Sequence, residues 1–393
     1  MTTTTFDKTT SMYIDGRRTG WILSTLLVLL PFVGIGLREA WGSDLWLLAP
    51  TVIIYGLVPL LDLLIGEDRN NPAETDVPSL ESDHYYRWIV YLSLPMIYLS
   101  LVCCAWYAVN ADLSWYGYGA LALAMGWTAG AGINAGHELG HKKTKTERLL
   151  ARFAVAPSGY GHFNIEHNRG HHRDVATPED PASSRLGESY YRFMRREIPG
   201  ALRRGWGLEC DRLGRKGLSR WSMQNEILQT GMITLIIWVC LIAWLGLGVI
   251  PFILLQAFVG YSLLTSANYV EHYGLLRLKT ESGRYERPEP RHSWNSNHVL
   301  SNILLYQLQR HSDHHAHPTR RYQCLRHFEE APQLPTGYFG MFLLAFFPPL
   351  WFRVMDRRVI VHCQGQAHQI NMDPGCRDSL IEKYGLTDRA EGL

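Results

Sequence analysis

Apolar residues in this chain fall into six long runs separated by polar stretches of very uneven length. The runs are Trp21 to Leu37, Leu45 to Ile65, Trp88 to Val109, Gly117 to Gly136, Leu228 to Leu247 and Pro251 to Val270. Each has the length a helix needs to cross a bilayer core, about 17–25 residues. Asp62, near the end of the second run, is their only charge, and Pro31 interrupts the first. Tyr85, Tyr86 and Trp106 flank the third as interfacial aromatics. One such run also suits a buried helix of a soluble protein. Six predict an all-α membrane protein with six transmembrane helices and a helical cytosolic cap. A further run, Tyr338 to Val354, is broken by Pro348-Pro349 and reads as an interfacial or core segment. The tail after Arg357 reads as a solvated terminus. The pattern divides the chain into 1–136 (tail and four spans), 137–227 (polar), 228–270 (two spans) and 271–393 (polar).

Charge orients this arrangement. The net charge of +2 suggests neither a nucleic-acid binder nor an acidic tail. The link between the first two spans carries only Arg38, and the other two links on that side carry no Lys or Arg. The opposite side holds the remaining 37 of the 38 basic residues, 17 of them in 137–227. The positive-inside rule then places both termini and both polar segments in the cytosol. The first twenty residues are polar, so the first run reads as a span rather than a cleavable signal. The seven cysteines include no C-x-x-C pair, which excludes a zinc ribbon or a rubredoxin-type iron site within this chain.

The polar segments concentrate histidine. Nine of the 17 histidines lie in HELGH (137–141), HNRGHH (167–172), HSDHH (311–315) and a lone His272 that follows the sixth run. His137 and His141 are four apart on the expected extension of the fourth span, which puts both rings on one helix face. His167, His171 and His172 repeat that spacing with an extra ring, and His311, His314 and His315 give i, i+3 and i+4. One ion takes about four to six ligands, so nine imidazoles imply two. A hydrogen-bonded structural pair explains any one box but not three on one membrane face. Zinc, iron and copper all accept imidazole, and ligand softness alone does not separate iron from copper. HELGH also fits the H-E-x-x-H motif of zinc proteases, in which the Glu is a general base. An intramembrane zinc protease would leave seven of the nine histidines without a role. Glu138 then reads as a group supporting a ligand ring, with Glu271, Asp313 and Asp174 as further candidates. A metal transporter would place ionisable groups within its spans, where only Asp62 is found. His162, His292, His298 and His317 read as hydrogen-bonding groups of the cap. His84, His327, His362 and His368 read as surface or structural.

The fourth run is rich in small residues from Gly126 to Gly136. They let helices approach closely or leave a slot for a slender ligand.

The stretches NAGHELGH (134–141), EHNRGHH (166–172) with VATP (175–178), and LQRHSDHHAHP (308–318) resemble bacterial integral-membrane alkane 1-monooxygenases. So do NYVEHYG (268–274) and GYGH (159–162), and the resemblance runs from the first span to about residue 340. The three-box pattern in general is shared with membrane fatty-acid desaturases and hydroxylases, while the third string is more specific to the alkane enzymes. The resemblance implies a multi-pass protein of the bacterial inner membrane with a non-haem site of two iron ions. It implies O2-dependent hydroxylation of the terminal methyl of medium-chain n-alkanes. Electrons would come from rubredoxin, with rubredoxin reductase upstream. Carried over position by position, the ligands are His137, His141, His167, His171, His172, His272, His311, His314 and His315, with no departure from the pattern.

A site at the cytosolic ends of spans calls for an apolar substrate that reaches it from membrane lipid. Ile133 and Gly130 lie one and two turns before His137, and Asn268 and Thr265 one and two turns before His272. These four are the expected lining, with Ile54 and Val58 of the second span as another wall. Arg195-Arg196, Arg203-Arg204 and Arg320-Arg321 are candidates for docking an acidic electron carrier or for contacting anionic lipid.

Overall fold

The computed structural model describes residues 15–387. The threonine-rich start and the last six residues, placed in the cytosol by the charge pattern, lie outside that range. Among the described residues there is no β-strand, only isolated bridges such as Glu67 with His298.

The first run forms two helices rather than one, α1 (Ile22–Leu27) and α2 (Leu30–Trp41), bent by 61° at the break between them. Pro31 enters in the first turn of α2, where its missing N–H costs nothing and its ring disfavours a straight continuation from α1. The second run is α3 (Asp44–Ile65), which contains a π-helical stretch at Ile53–Leu57 just before Pro59. Then come α4 (His84–Asn110), α5 (Trp115–Gly140) and α6 (Lys145–Val155), capped by the side chains of Asp83, Ser114 and Thr144. Ser189 and Asn225 cap α7 (Tyr190–Gly214) and α8 (Glu226–Leu245), and α9 is Ile250–His272.

Four segments are long and apolar enough to cross a membrane: α3, α4, α8 and Leu247–His272, which contains α9. The bent pair α1–α2 would make a fifth. At 26 residues α5 has the length, but glycine, tyrosine and tryptophan dilute its hydropathy, and most of its second half is buried. Its glycines explain that position. A Cβ on Gly126 would lie 2.4 Å from Cβ of Val259 on α9, and one on Gly136 would lie 2.7 Å from Cγ1 of Val155 on α6. Small residues therefore bring α6 and α9 against the backbone of α5, the helix that ends in the first histidine box.

The C-terminal region supplies α10 (His311–Ala316), α11 (Tyr338–Ala345), α12 (Pro348–His362) and α13 (Arg377–Tyr384). The tail after Arg357 is not a solvated terminus. Val359, Ala367, Ile370 and Leu380 are buried with Tyr269, Tyr273 and Trp351 in the largest apolar cluster of the molecule. Isolated bridges tie Ile370 to Leu275 and Met372 to Leu186. The tail thus braces the end of α9, where His272 sits.

Candidate metal centre

The nine box histidines gather in two groups. His137, His141, His167, His172 and His314 form one; His171, His272, His311 and His315 form the other. Within each group the candidate ligand atoms lie within 4.8 Å of one another. The division does not follow the boxes, and local backbone explains why. Residues 167–171 wind as a π-helix, in which i and i+5 come together. His167 and His172 therefore share the first group, Nε2 to Nε2 3.1 Å, while His171 turns to the second. On α10, His311 and His315 are one turn apart with Nε2 atoms at 2.8 Å, and His314 faces the first group. His314 Nε2 lies 2.9 Å from that of His137 and 3.1 Å from that of His172. His272 and His311 meet at 3.3 Å.

These spacings suit metal ligation. Two ligands at right angles on one ion, each with a bond of about 2.1 Å, stand about 3 Å apart. Burial first, then the neighbouring imidazoles, push His141, His167, His172, His311, His314 and His315 well below the usual histidine range. This favours the neutral ring, which has a lone pair to give. Nε2 of His141 and of His171 is buried without a hydrogen-bond partner.

One supporting carboxylate escaped the sequence reading. Nδ1 of His171 meets Oδ2 of Asp180 at 2.9 Å, which leaves Nε2 of that ring facing its group. Asp180 also accepts from Ser183 Oγ and Arg204 Nη2, both at 2.6 Å, and Arg204 clasps Glu166 as well. Burial would raise the Asp180 pKa, but His171 and Arg204 outweigh it and hold the carboxyl far below its ordinary value. Its only trace in the sequence is its position just after the VATP string.

The four expected supports behave differently. Glu138 pairs with Lys142 at 2.9 Å, and Asp174 pairs with Arg173. Asp313 receives His317, Arg320 and Arg326. These partners are not among the nine rings. Glu271 alone of the four meets one, its Oε2 3.3 Å from His311 Nε2.

A mostly apolar cavity ends on His137, His167 and His311. Ile54, Gly130, Ile133 and Asn268 line it as expected, and Leu27 and Leu30 reach it from either side of the α1–α2 break. Thr265 and Val58 do not line it. On α9 the lining face runs through Leu264, Ala267, Asn268 and Glu271, so its centre is a helical step away from His272. Counting turns back from His272 put Thr265 on the wrong side. Its hydroxyl instead donates to Glu197 Oε2 at 2.9 Å, and Asn268 Nδ2 reaches Oε1 at 3.3 Å. Burial pushes Glu197 up to about 7. Val58 is buried in the largest apolar cluster.

The other histidines near the boxes are hydrogen-bonded or ring-packed in the manner of a structural cap. His292 pairs with Glu286, His298 with Ser296 and His317 with Asp313, and His162 lies against Tyr160. Of the six arginines considered for docking, four are occupied internally. Arg196 holds Glu188, Arg204 holds Asp180, Arg320 lies between Glu74 and Asp313, and Arg321 holds Glu147. Arg195 and Arg203 remain exposed.

A family model described as fatty acid desaturase matches residues 113–354. Alkane 1-monooxygenase 1 of Alcanivorax borkumensis is 51% identical over 375 residues, 95% of this chain and 93% of its own length. Alkane 1-monooxygenase of Ectopseudomonas oleovorans is 52% identical over 376 residues, 95% and 94% of the two chains. The hydroxylase component of a xylene/toluene monooxygenase from Pseudomonas putida is 28% identical over 242 residues, 60% of this chain.

Proposed function

The chain belongs to the alkane 1-monooxygenases of the fatty acid desaturase family, and from that premise we propose how it works as an alkane-hydroxylating oxidoreductase. It hydroxylates the terminal methyl of medium-chain n-alkanes with O2 at two non-haem iron ions, using electrons from rubredoxin. It sits in the bacterial inner membrane with six spans, α1–α2 and α5 included, and its histidine boxes and both termini in the cytosol. The remaining cytosolic segments, 137–227 and 271–393, form a helical cap.

One observation carries this reading: an apolar cavity ends directly on rings of two groups of imidazoles. His137, His141, His167, His172 and His314 would hold one iron, and His171, His272, His311 and His315 the other. Bound iron would supply O2 activation and oxidation of the C–H bond. The chain does the rest. No neighbouring group on an alkane directs attack to one carbon, so selectivity comes from shape. Ile54, Gly130 and Ile133 guide one end of the chain towards the rings. Asp180 holds His171 in its orientation. The cap excludes bulk water from the reacting methyl. The protease reading needs Glu138 as a base, and that carboxylate is engaged by Lys142.

Purified protein given octane, O2, rubredoxin and its reductase should yield 1-octanol and contain two irons per chain. An alkene or acyl product would favour a desaturase or fatty-acyl hydroxylase. Zinc alone, or turnover without O2, would overturn the reading.

A further inference from the structure

Glu271 precedes His272 on the last turn of α9, and its carboxyl forms part of the cavity wall beside His311. Three observations set it apart from the other carboxylates of the centre. First, it meets an inner nitrogen. The His311 Nε2 that it approaches at 3.3 Å is the atom that faces His272 Nε2 at 3.3 Å and His315 Nε2 at 2.8 Å. Asp180 instead meets the outer Nδ1 of His171, as a supporting carboxylate does. Its spacing from His311 repeats the spacing between neighbouring ring nitrogens of the group. Second, Glu271 is 3% exposed and its Oε1 makes no close hydrogen bond, the Tyr338 hydroxyl being a neutral neighbour of the carboxyl. Glu138, Asp180 and Asp313, also buried, each pair with a Lys or Arg, whereas among the described residues Glu271 makes an ion-pair contact only with His311. Kept ionised at such a position, a carboxylate needs a compensating positive charge. Third, the two groups are unequal, five rings against four, and Glu271, outside the 4.8 Å grouping itself, touches the smaller one through His311.

We propose that Glu271 is itself a ligand, the fifth donor to the ion held by His171, His272, His311 and His315. The proposal rests on the two-iron reading above. It gives both ions five protein donors. It also places one negative charge among nine neutral imidazoles, where two divalent ions otherwise go uncompensated within the ligand set. Glu271 and His311 both line the cavity, so the carboxylate would be one of the donors beside the path of the substrate.

The test is iron binding in the intact chain, with Glu271→Gln and Glu271→Ala, each loaded with 57Fe. Iron per chain, affinity by chelator competition and the Mössbauer spectrum are measured. Wild type must hold two irons; if it does not, the two-iron reading fails and not this assignment alone. With two in wild type, Glu271→Ala should bind one of them about tenfold more weakly or lose it. Glu271→Gln should shift the quadrupole doublet of one iron and leave the other in place. Added acetate should restore the wild-type doublet in the alanine variant by returning a carboxylate to the gap. The near-isosteric Gln variant carries the same measurement should the Ala variant fail to fold. Two irons of unchanged affinity, with both doublets unchanged in the Gln variant, would overturn the proposal.

Discussion

Asp180 and Glu197 are two buried carboxyls with opposite behaviour, and each carries a prediction at the scale of the single residue. Asp180 is held ionised by Arg204 and meets His171. Asp180→Asn keeps the shape and removes the charge that orients the ring. Iron bound by the four-histidine group should weaken by about 10–100-fold, read by chelator competition, with the five-histidine group unaffected. Glu197 is raised by burial from an ordinary value of 4.5 to about 7. The folded chain then binds more protons than the unfolded one between those two values. Folded stability therefore falls as pH rises through that window and levels off above it. The full span corresponds to at most about 3–4 kcal/mol. Thermal unfolding across pH should show this decline in wild type and a flatter profile in Glu197→Gln. The nine histidines were legible as a set because few other roles gather so many rings. Their division between two groups was not, because it depends on whether residues 167–171 wind as an α- or a π-helix.

At the scale of elements, α5 joins packing to chemistry. Its small residues both admit close neighbours and line the cavity, and Gly130 does the two at once: a Cβ there would lie 2.5 Å from Cδ1 of Leu263. The sequence offered these as alternatives, and the structure uses both. Gly136 tests the packing half. Gly136→Ala forces Val155 aside and should cost about 1–3 kcal/mol in unfolding stability. Val155→Ala in the same chain removes the obstructing Cγ1 and should recover most of that loss; no recovery would show that another contact controls the approach. The long unbroken spans, α4, α8 and α9, were readable from hydropathy alone. The bend between α1 and α2 was signalled only by Pro31. The rotation of α9 that turns Thr265 from the cavity had no signal, because a helical period fixes which residues share a face but not where that face points.

In the molecule as a whole, the proposed ligands come from α5, the 163–174 stretch, α9 and α10, regions far apart in sequence. Bound metal would therefore tie the apolar helices to the polar segments. Ions that bind only the folded state stabilise it by about 2.7 kcal/mol at a hundredfold excess over the dissociation constant. Removing iron with a chelator should lower the unfolding midpoint in detergent by several degrees, and returning ferrous iron should restore it. An unchanged midpoint would mean that the cap is assembled without its metals. The burial of the C-terminal tail belongs to this scale and was invisible in the sequence, because its apolar residues are too scattered to form a run. His171 and His172 are consecutive, as are His314 and His315, yet each neighbouring pair is split between the two groups. A chain that has captured one ion has thereby set the backbone from which ligands of the other hang. The centre should fill all-or-none: a ferrous titration would rise sigmoidally, and chains carrying a single ion would be scarce at every stage of loading.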